Sequence, residues 1–262
     1  MTRARSESAF YAVAALLFAA SATLTVLWCG SMSAMGGMAM PGGWTLSMAW
    51  MRMPGQTWMD AAVSFVGMWL AMMVAMMLPS LVPMLRRYRR AVGPPNAAGS
   101  GRLTALVGVG YFSVWTLLGI AAFPVGVLLA NIGMQVPALA RIVPVGIGAI
   151  VMIAGALQLT SWKARHLECC RHLPAGSESL RPDATAAWKY GIRLGMHCTR
   201  CCAGLTAILL VVGVMDLRAM AAVTAAITLE RLAPAGPRIA RAIGVLLMLS
   251  GVLIVARAGS LG

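Results

Sequence analysis

An all-α fold, a polytopic transmembrane bundle of about seven helices with a cytoplasmic N-terminus, is predicted by three observations. The chain of 262 residues is 60% hydrophobic and only 11% charged, where a soluble domain is about a quarter charged. Its apolar residues gather into seven segments separated by polar or Gly/Pro-rich stretches. Its Lys and Arg residues fall almost entirely on one side once those segments are threaded in turn through a membrane. Little sequence remains for a soluble domain, so 1–262 reads as a single integral membrane domain.

A membrane-spanning helix needs about 20 apolar residues. Six stretches qualify: 8–28, 60–84, 103–130, 142–160, 194–214 and 240–257. A seventh, 216–232 ("DLRAMAAVTAAITLERL"), would span only about 25 Å, so it must stand nearly upright or stop short. Arg3 and Arg5 precede the first segment as they would a signal peptide. No convincing cleavage site follows, and "WCGSM" matches a lipoprotein-type cysteine only loosely, so this segment reads as a retained helix. The outer loop 29–59 is broken repeatedly by Gly and Pro and is expected to be irregular. Its Trp44, Trp50 and Trp58 suit the lipid interface.

Helix two carries "GMWLAMMVAMMLPSLVPML", with Pro79 and Pro83 expected to kink its inner end. The basic linker "RRYRRAVGPPNAAGSGR" reads as flexible. Helices three and four form a hairpin around "NIGMQVPALAR". The inner loop 161–190 holds "SWKARHLECCRHLP". Helix five opens with "GIRLG", whose Gly191 and Gly195 suit close helix packing.

Net charge is +14. With the N-terminus inside, sixteen Lys/Arg residues, Lys163 and Arg231 among them, fall on the cytoplasmic side and four outside, with Arg200 at the start of helix five. This bias sets the orientation. It reads as topology and as contact with anionic lipid headgroups on the cytoplasmic side. No stacking motif accompanies it, so nucleic-acid binding is excluded.

Five of the six cysteines and all three histidines lie between His166 and Cys202. The loop half of this window is His166, Cys169, Cys170 and His172; the helix half is His197, Cys198, Cys201 and Cys202. On a helical wheel with His197 at the origin, Cys201 falls at about 40°, Cys198 at about 100° and Cys202 at about 140°. All four share one broad face. Thiolate and imidazole from the two halves suit Cu(I) and, as the second candidate, Zn(II). Incidental packing of small apolar cysteines is the alternative. Disulfides are disfavoured by the reducing compartment. Arg200 would favour thiolates nearby or snorkel to the inner headgroups.

Of 21 methionines, 14 lie between Met32 and Met84. Met32, Met35, Met38 and Met40 form a run in the outer loop. Thioethers select Cu(I) or Ag(I) over zinc and bind without deprotonation. In helix two, Met68, Met72 and Met76 repeat at i+4, flanked by Met73 and Met77, where core or lipid packing competes with a ligand role. Asp60, Asp216 and Glu230 lie near helix ends, where caps or ion pairs account for them. No carboxylate is placed mid-membrane, which disfavours proton coupling. No Ser-His-Asp set, P-loop or dinucleotide fingerprint occurs.

From helix two to the C-terminus the chain resembles a bacterial family of predicted metal-binding integral membrane proteins, sometimes labelled copper chaperones. The resemblance rests on "AMMLPSLVPM", "ALQLTSWKARHLECCR", "GIRLGMHCTRCCAGL", "VVGVMDL" and "TLERLAP". The family's inner-loop pattern matches Lys163, His166, Cys170 and Arg171, with His166 where a cysteine is expected. Its Cys-x-x-Cys-Cys pattern matches Cys198, Cys201 and Cys202, with Arg200 where a glycine is expected. The resemblance implies metal binding but no settled mechanism.

The leading expectation is a non-enzymatic protein of the bacterial inner membrane that handles Cu(I). The outer methionines capture it, the Met72/Met76 ladder relays it, and the inner Cys/His cluster holds it for a cuproprotein or metallochaperone partner or for transport. The alternatives are a thiol–disulfide redox protein using Cys198 and Cys201, and a structural or assembly subunit with inert cysteines.

Overall fold

The structure, a computed structural model, describes residues 2–92, 99–171 and 183–260. Among the described residues the chain forms eight α-helices and one short hairpin. They are α1 (Thr2–Ala34), β1 (Met38–Met40), β2 (Trp44–Leu46), α2 (Trp58–Val92), α3 (Ser100–Gln135), α4 (Pro137–Gln158), α5 (Ser161–Arg171), α6 (Ala184–Val212), α7 (Leu217–Leu232) and α8 (Gly236–Ser260). Six of them, α1, α2, α3, α4, α6 and α8, are long and apolar enough to cross a membrane. The polytopic helical bundle expected from hydropathy is what forms. The short seventh segment is α7, whose 16 residues reach only about 24 Å.

Local chemistry sets the helix ends. Thr57 and Asp60 exchange side-chain-to-backbone hydrogen bonds at the start of α2, a capping box that satisfies otherwise orphaned N–H groups. Asp183 caps α6, and Asp216 caps α7 by accepting from the Arg218 and Ala219 N–H groups. Pro137 starts α4, where its missing N–H costs nothing.

Two loops differ from their expected form. The outer 29–59 stretch is not irregular throughout: α1 runs on to Ala34, and Met38–Met40 pairs antiparallel with Trp44–Leu46. Gly42 and Gly43 turn this hairpin with φ of 97° and 74°, a region glycine enters without a Cβ clash. The Trp44 indole N–H donates to the Ala140 carbonyl at 2.9 Å and pins the hairpin to α4. The inner 161–190 stretch is not a loop throughout either. Residues Ser161–Arg171 form α5, and α6 begins at Ala184, ten residues before the predicted 194. The linker after helix two is helical through Val92. Polar composition hid these turns because helix ends beyond the apolar span carry no hydropathy signal.

Helix α2 lies at the centre. Phe65, Met68, Trp69, Met72, Met73, Met76, Met77 and Leu81 on it are buried. Around it, glycine contacts bring helix pairs close, as small residues do in lipid. Gly191 and Gly195 of α6 meet α3, where a Cβ on Gly195 would lie 2.8 Å from the Tyr111 carbonyl. This bears out the packing role read from "GIRLG". A second set was not foreseen: Gly148 and Gly155 of α4 face Gly251 and Gly244 of the antiparallel α8, carbonyl against Cα. The outward faces of α1, α3, α4 and α8 expose Leu17, Leu27, Leu117, Leu129, Ile153, Leu246 and Leu253, the surface a bilayer covers.

A methyl at Gly155 would sit 2.8 Å from both the Gly244 carbonyl and the Met248 nitrogen. Gly155→Ala is therefore expected to cost about 1–3 kcal/mol through forced separation of α4 and α8. Gly146→Ala, with open space around it, is the control. Thermal midpoints of the two variants in detergent should separate; equal midpoints would show that this helix pair is not tightly packed.

Candidate functional site

The site is built where α5 and the middle of α6 meet α2, α3 and the end of α7. The buried face of α5 is Lys163, Leu167 and Cys170, spaced i, i+4, i+7. The buried face of α6 is Cys198, Cys201, Cys202 and Leu205. The two faces bring four thiols into one interior, each 0–3% exposed. Cys170 and Cys201, Cys201 and Cys202, and Cys202 and Cys198 are electrostatic neighbours. Cys198 also lies 3.9 Å from the Met77 sulfur and accepts from the Tyr111 hydroxyl at 2.8 Å. All four are free thiols. Its neighbour Cys201, together with burial, pushes the Cys170 thiol well above the usual thiol range.

The four sulfurs are a file of neighbours, not a cage. Among the described residues, no group of three or more His, Cys, Asp or Glu side chains is arranged to hold a metal ion. The histidines do not join the thiols. The His166 ring packs on Trp162 of its own helix, centroids 4.2 Å apart, and its Nδ1 lies 2.9 Å from the Trp162 carbonyl. His197 is half-buried at the edge of the α6 face, and it is its carbonyl that receives the Cys170 thiol at 3.4 Å. A shared arc of about 140° does not say where a buried face is centred; here it is centred on the cysteines. Cys169 lies in α5, with its side chain outside the described residues, as is all of His172.

The methionine run is divided. Met32 belongs to α1 and is partly exposed; Met35 and Met38 are exposed; Met40 is buried against Ala130 and Ala140 in a small separate core. The helix-two ladder, Met72 and Met76 included, is wholly interior, at 0–3% exposure from Met68 to Met77.

What sequence reasoning missed is charge. Glu230 does form an ion pair, as its place near a helix end suggested, but at 1% exposure. Lys163 Nζ lies 2.7 Å from its carboxylate and also donates to the Cys201 carbonyl at 2.8 Å. The Gln158 amide donates to the other carboxylate oxygen at 2.7 Å. Burial would lower the Lys163 ammonium's pKa; Cys201 and Glu230 beside it outweigh that and hold it above its usual range. Arg231, counted from sequence among the cytoplasmic charges, is 5% exposed. One of its nitrogens donates to the Ser80 hydroxyl at 2.9 Å. Its Nε and Nη2 have no hydrogen-bond partner among the described residues, and its charge acts on Cys198, Cys202, Tyr111 and Cys170. The dipeptide Glu230-Arg231 inside an apolar helix was the available signal. Arg200, by contrast, is exposed at the helix surface, so it takes no part in this interior.

Fold and interior together define a class: a polytopic helical membrane protein that buries a file of free thiols beside two cations. Residues 66–254 match the PpoB2 family, described as copper chaperone. That stretch covers most of the chain and includes all four of these thiols, and the chain belongs to this family. No curated protein and no solved structure matches the chain.

Proposed function

We propose that the chain takes up Cu(I) as cargo in the bacterial inner membrane and passes it on by exchange between soft sulfur ligands. The observation that carries this reading is the buried file Cys198, Cys202, Cys201, Cys170 beside the Arg231 guanidinium, which has no carboxylate partner among the described residues. Two neighbouring sulfurs suffice to hold Cu(I), so a file of pairs suits an ion in transit. The charges balance as well. Lys163 and Glu230 cancel, leaving Arg231 as one excess buried cation. A Cu(I) ion bound by two thiolates carries one net negative charge, which is what Arg231 lacks. Burying either alone is costly; burying them together is not.

The sequence orientation assigns the cysteine end to the cytoplasm, against anionic headgroups, and the hairpin end to the outside. Met32, Met35 and Met38 then offer thioethers outside, with Met40 closing the hairpin. Between the ends runs a buried file on α2, from Met68 through Met72 and Met76 to Met77. It covers about 14 Å at 1.5 Å per residue and ends 3.9 Å from Cys198. Ligand exchange along similar sites needs no energy source and no catalytic step, so the role is chaperone-like and not enzymatic. The recipient is a cuproprotein or metallochaperone with its own soft ligands. Zinc is disfavoured because the thioethers of the α2 file reject it.

Purified protein, titrated anaerobically against a chromophoric Cu(I) chelator, should retain Cu(I) in the presence of equimolar Zn(II). Arg231→Met keeps the bulk and removes the charge, and should weaken Cu(I) about 10–100-fold, the range for outer-shell partners. Retention of zinc in preference would overturn the copper reading, and unchanged affinity in Arg231→Met would overturn the charge balance. A wild type that binds no Cu(I) but cycles Cys198 and Cys201 between thiol and disulfide would establish the redox alternative instead.

A further inference from the structure

Cys29 stands apart from the other thiols. It lies near the hairpin end of α1, is 1% exposed, and its sulfur is 3.8 Å from that of Met215 in the α6–α7 turn. Met215 borders a cavity of about 70 Å³ that is walled by Met32, Met48, Met51, Met53, Met68 and Met215. Six of the twelve lining residues are methionine, against 21 of 262 in the chain. They come from five separate segments: α1, the 3-10 turn Met48–Trp50, the stretch before α2, α2 itself and the α6–α7 turn. Methionine is the side chain best able to close gaps in a core, and protein interiors leave few voids. A hollow walled by six of these gap-fillers is therefore not explained by packing.

We propose that this hollow is a second soft-metal site, distinct from the thiol file, which takes one Cu(I) or Ag(I) ion through thioether sulfurs. Met68 and Met215, which both line it, are its inner ligands, and the Cys29 thiol, donating to the Met215 sulfur, positions that side chain. Thioethers bind without losing a proton and reject Zn(II). Access is built in. Met32, Met48 and Met215 also line a cleft of about 560 Å³ between the end of α1, the hairpin and the α6–α7 turn, bordered by Asp216 and Arg218. The inner wall is shared as well, because Met68 is the first sulfur of the buried file on α2. The site thus lies between an open cleft and that file. Cys29, Met32, Met48, Met51 and Met53 precede the stretch that matches the family.

The test is made in a Cys198→Ser/Cys201→Ser background, so that its outcome is independent of the thiol file. Detergent-purified protein is titrated anaerobically with Ag(I) and competed with Zn(II). The background protein should bind one Ag(I) per chain that Zn(II) does not displace. Met68→Leu/Met215→Leu, a near volume-conserving change that the fold should tolerate, should remove that ion or weaken it more than tenfold. Met59→Leu/Met134→Leu, two exposed methionines that do not line the hollow, should leave it in place. The proposal is overturned if the background binds no Ag(I), if Met68→Leu/Met215→Leu binds as well as its parent, if Zn(II) displaces the ion, or if Met59→Leu/Met134→Leu removes it.

Discussion

Cys198→Ser/Cys201→Ser is expected to abolish tight Cu(I) retention at the cysteine end, weakening it by more than about 100-fold, beyond the usual effect of outer-shell partners. The two thiols occupy different links of the file. Cys198 faces Met77 and Tyr111, and Cys201 faces Cys170 across the α5–α6 contact. Their joint loss leaves Cys170 and Cys202 with no thiol between or beside them. Serine is nearly isosteric and keeps a hydrogen-bonding group opposite Tyr111, so the fold should survive. Metal content by mass spectrometry, beside a circular dichroism spectrum unchanged from wild type, is the measurement. A folded double variant that keeps all of its Cu(I) at this end would sink the proposed function. By the same logic Cys170→Ser should weaken binding less than the double change, since it breaks only the last link. His166→Ala should do little, its ring being engaged with Trp162.

The second large effect is on stability. Glu230→Gln leaves the Lys163 ammonium buried with only the Cys201 carbonyl and neutral amides around it. Breaking a buried pair from one side costs about 3–5 kcal/mol. It also loosens α5, because Lys163 is tethered both to α7 through Glu230 and to α6 through the Cys201 carbonyl. The thermal midpoint in detergent should fall well below that of wild type, and Lys163→Met/Glu230→Gln should recover most of the loss by removing both charges. A Glu230→Gln protein as stable as wild type would show that this pair is not desolvated as its 2.7 Å separation and burial imply.

The two predictions differ in how far they could be read from sequence. Cys198, Cys201, Cys202 and Cys170 were legible as a group because cysteine is scarce and their window is narrow. The caps at Asp60 and Asp216 and the close packing at Gly191 and Gly195 were legible because each is a local rule acting within one turn of helix. Lys163 with Glu230 was not. The partners are far apart in sequence, and each has an ordinary explanation by itself, as an inner-loop charge and as a helix-end charge. Arg231 was counted as a cytoplasmic cation for the same reason. The hollow beside Cys29 drew its methionines from five segments, so the regular spacing of Met32, Met35, Met38 and Met40 pointed to a run that the fold divides.

By itself, the sequence determined that this is a membrane bundle, where its apolar spans run and which soft ligands it carries. Those follow from hydropathy, charge bias and composition, each summed over a single segment. Only the tertiary structure decided which face of each helix turns inward. In water, the contrast between polar and apolar residues would reveal that face. In lipid, outside and inside are equally apolar, and the choice passes to close packing and to the pairing of the few buried charges. That is why α6 buries Cys198, Cys201 and Cys202 and leaves His197 at the edge. It is also why the last turn of α7 buries Glu230 and Arg231.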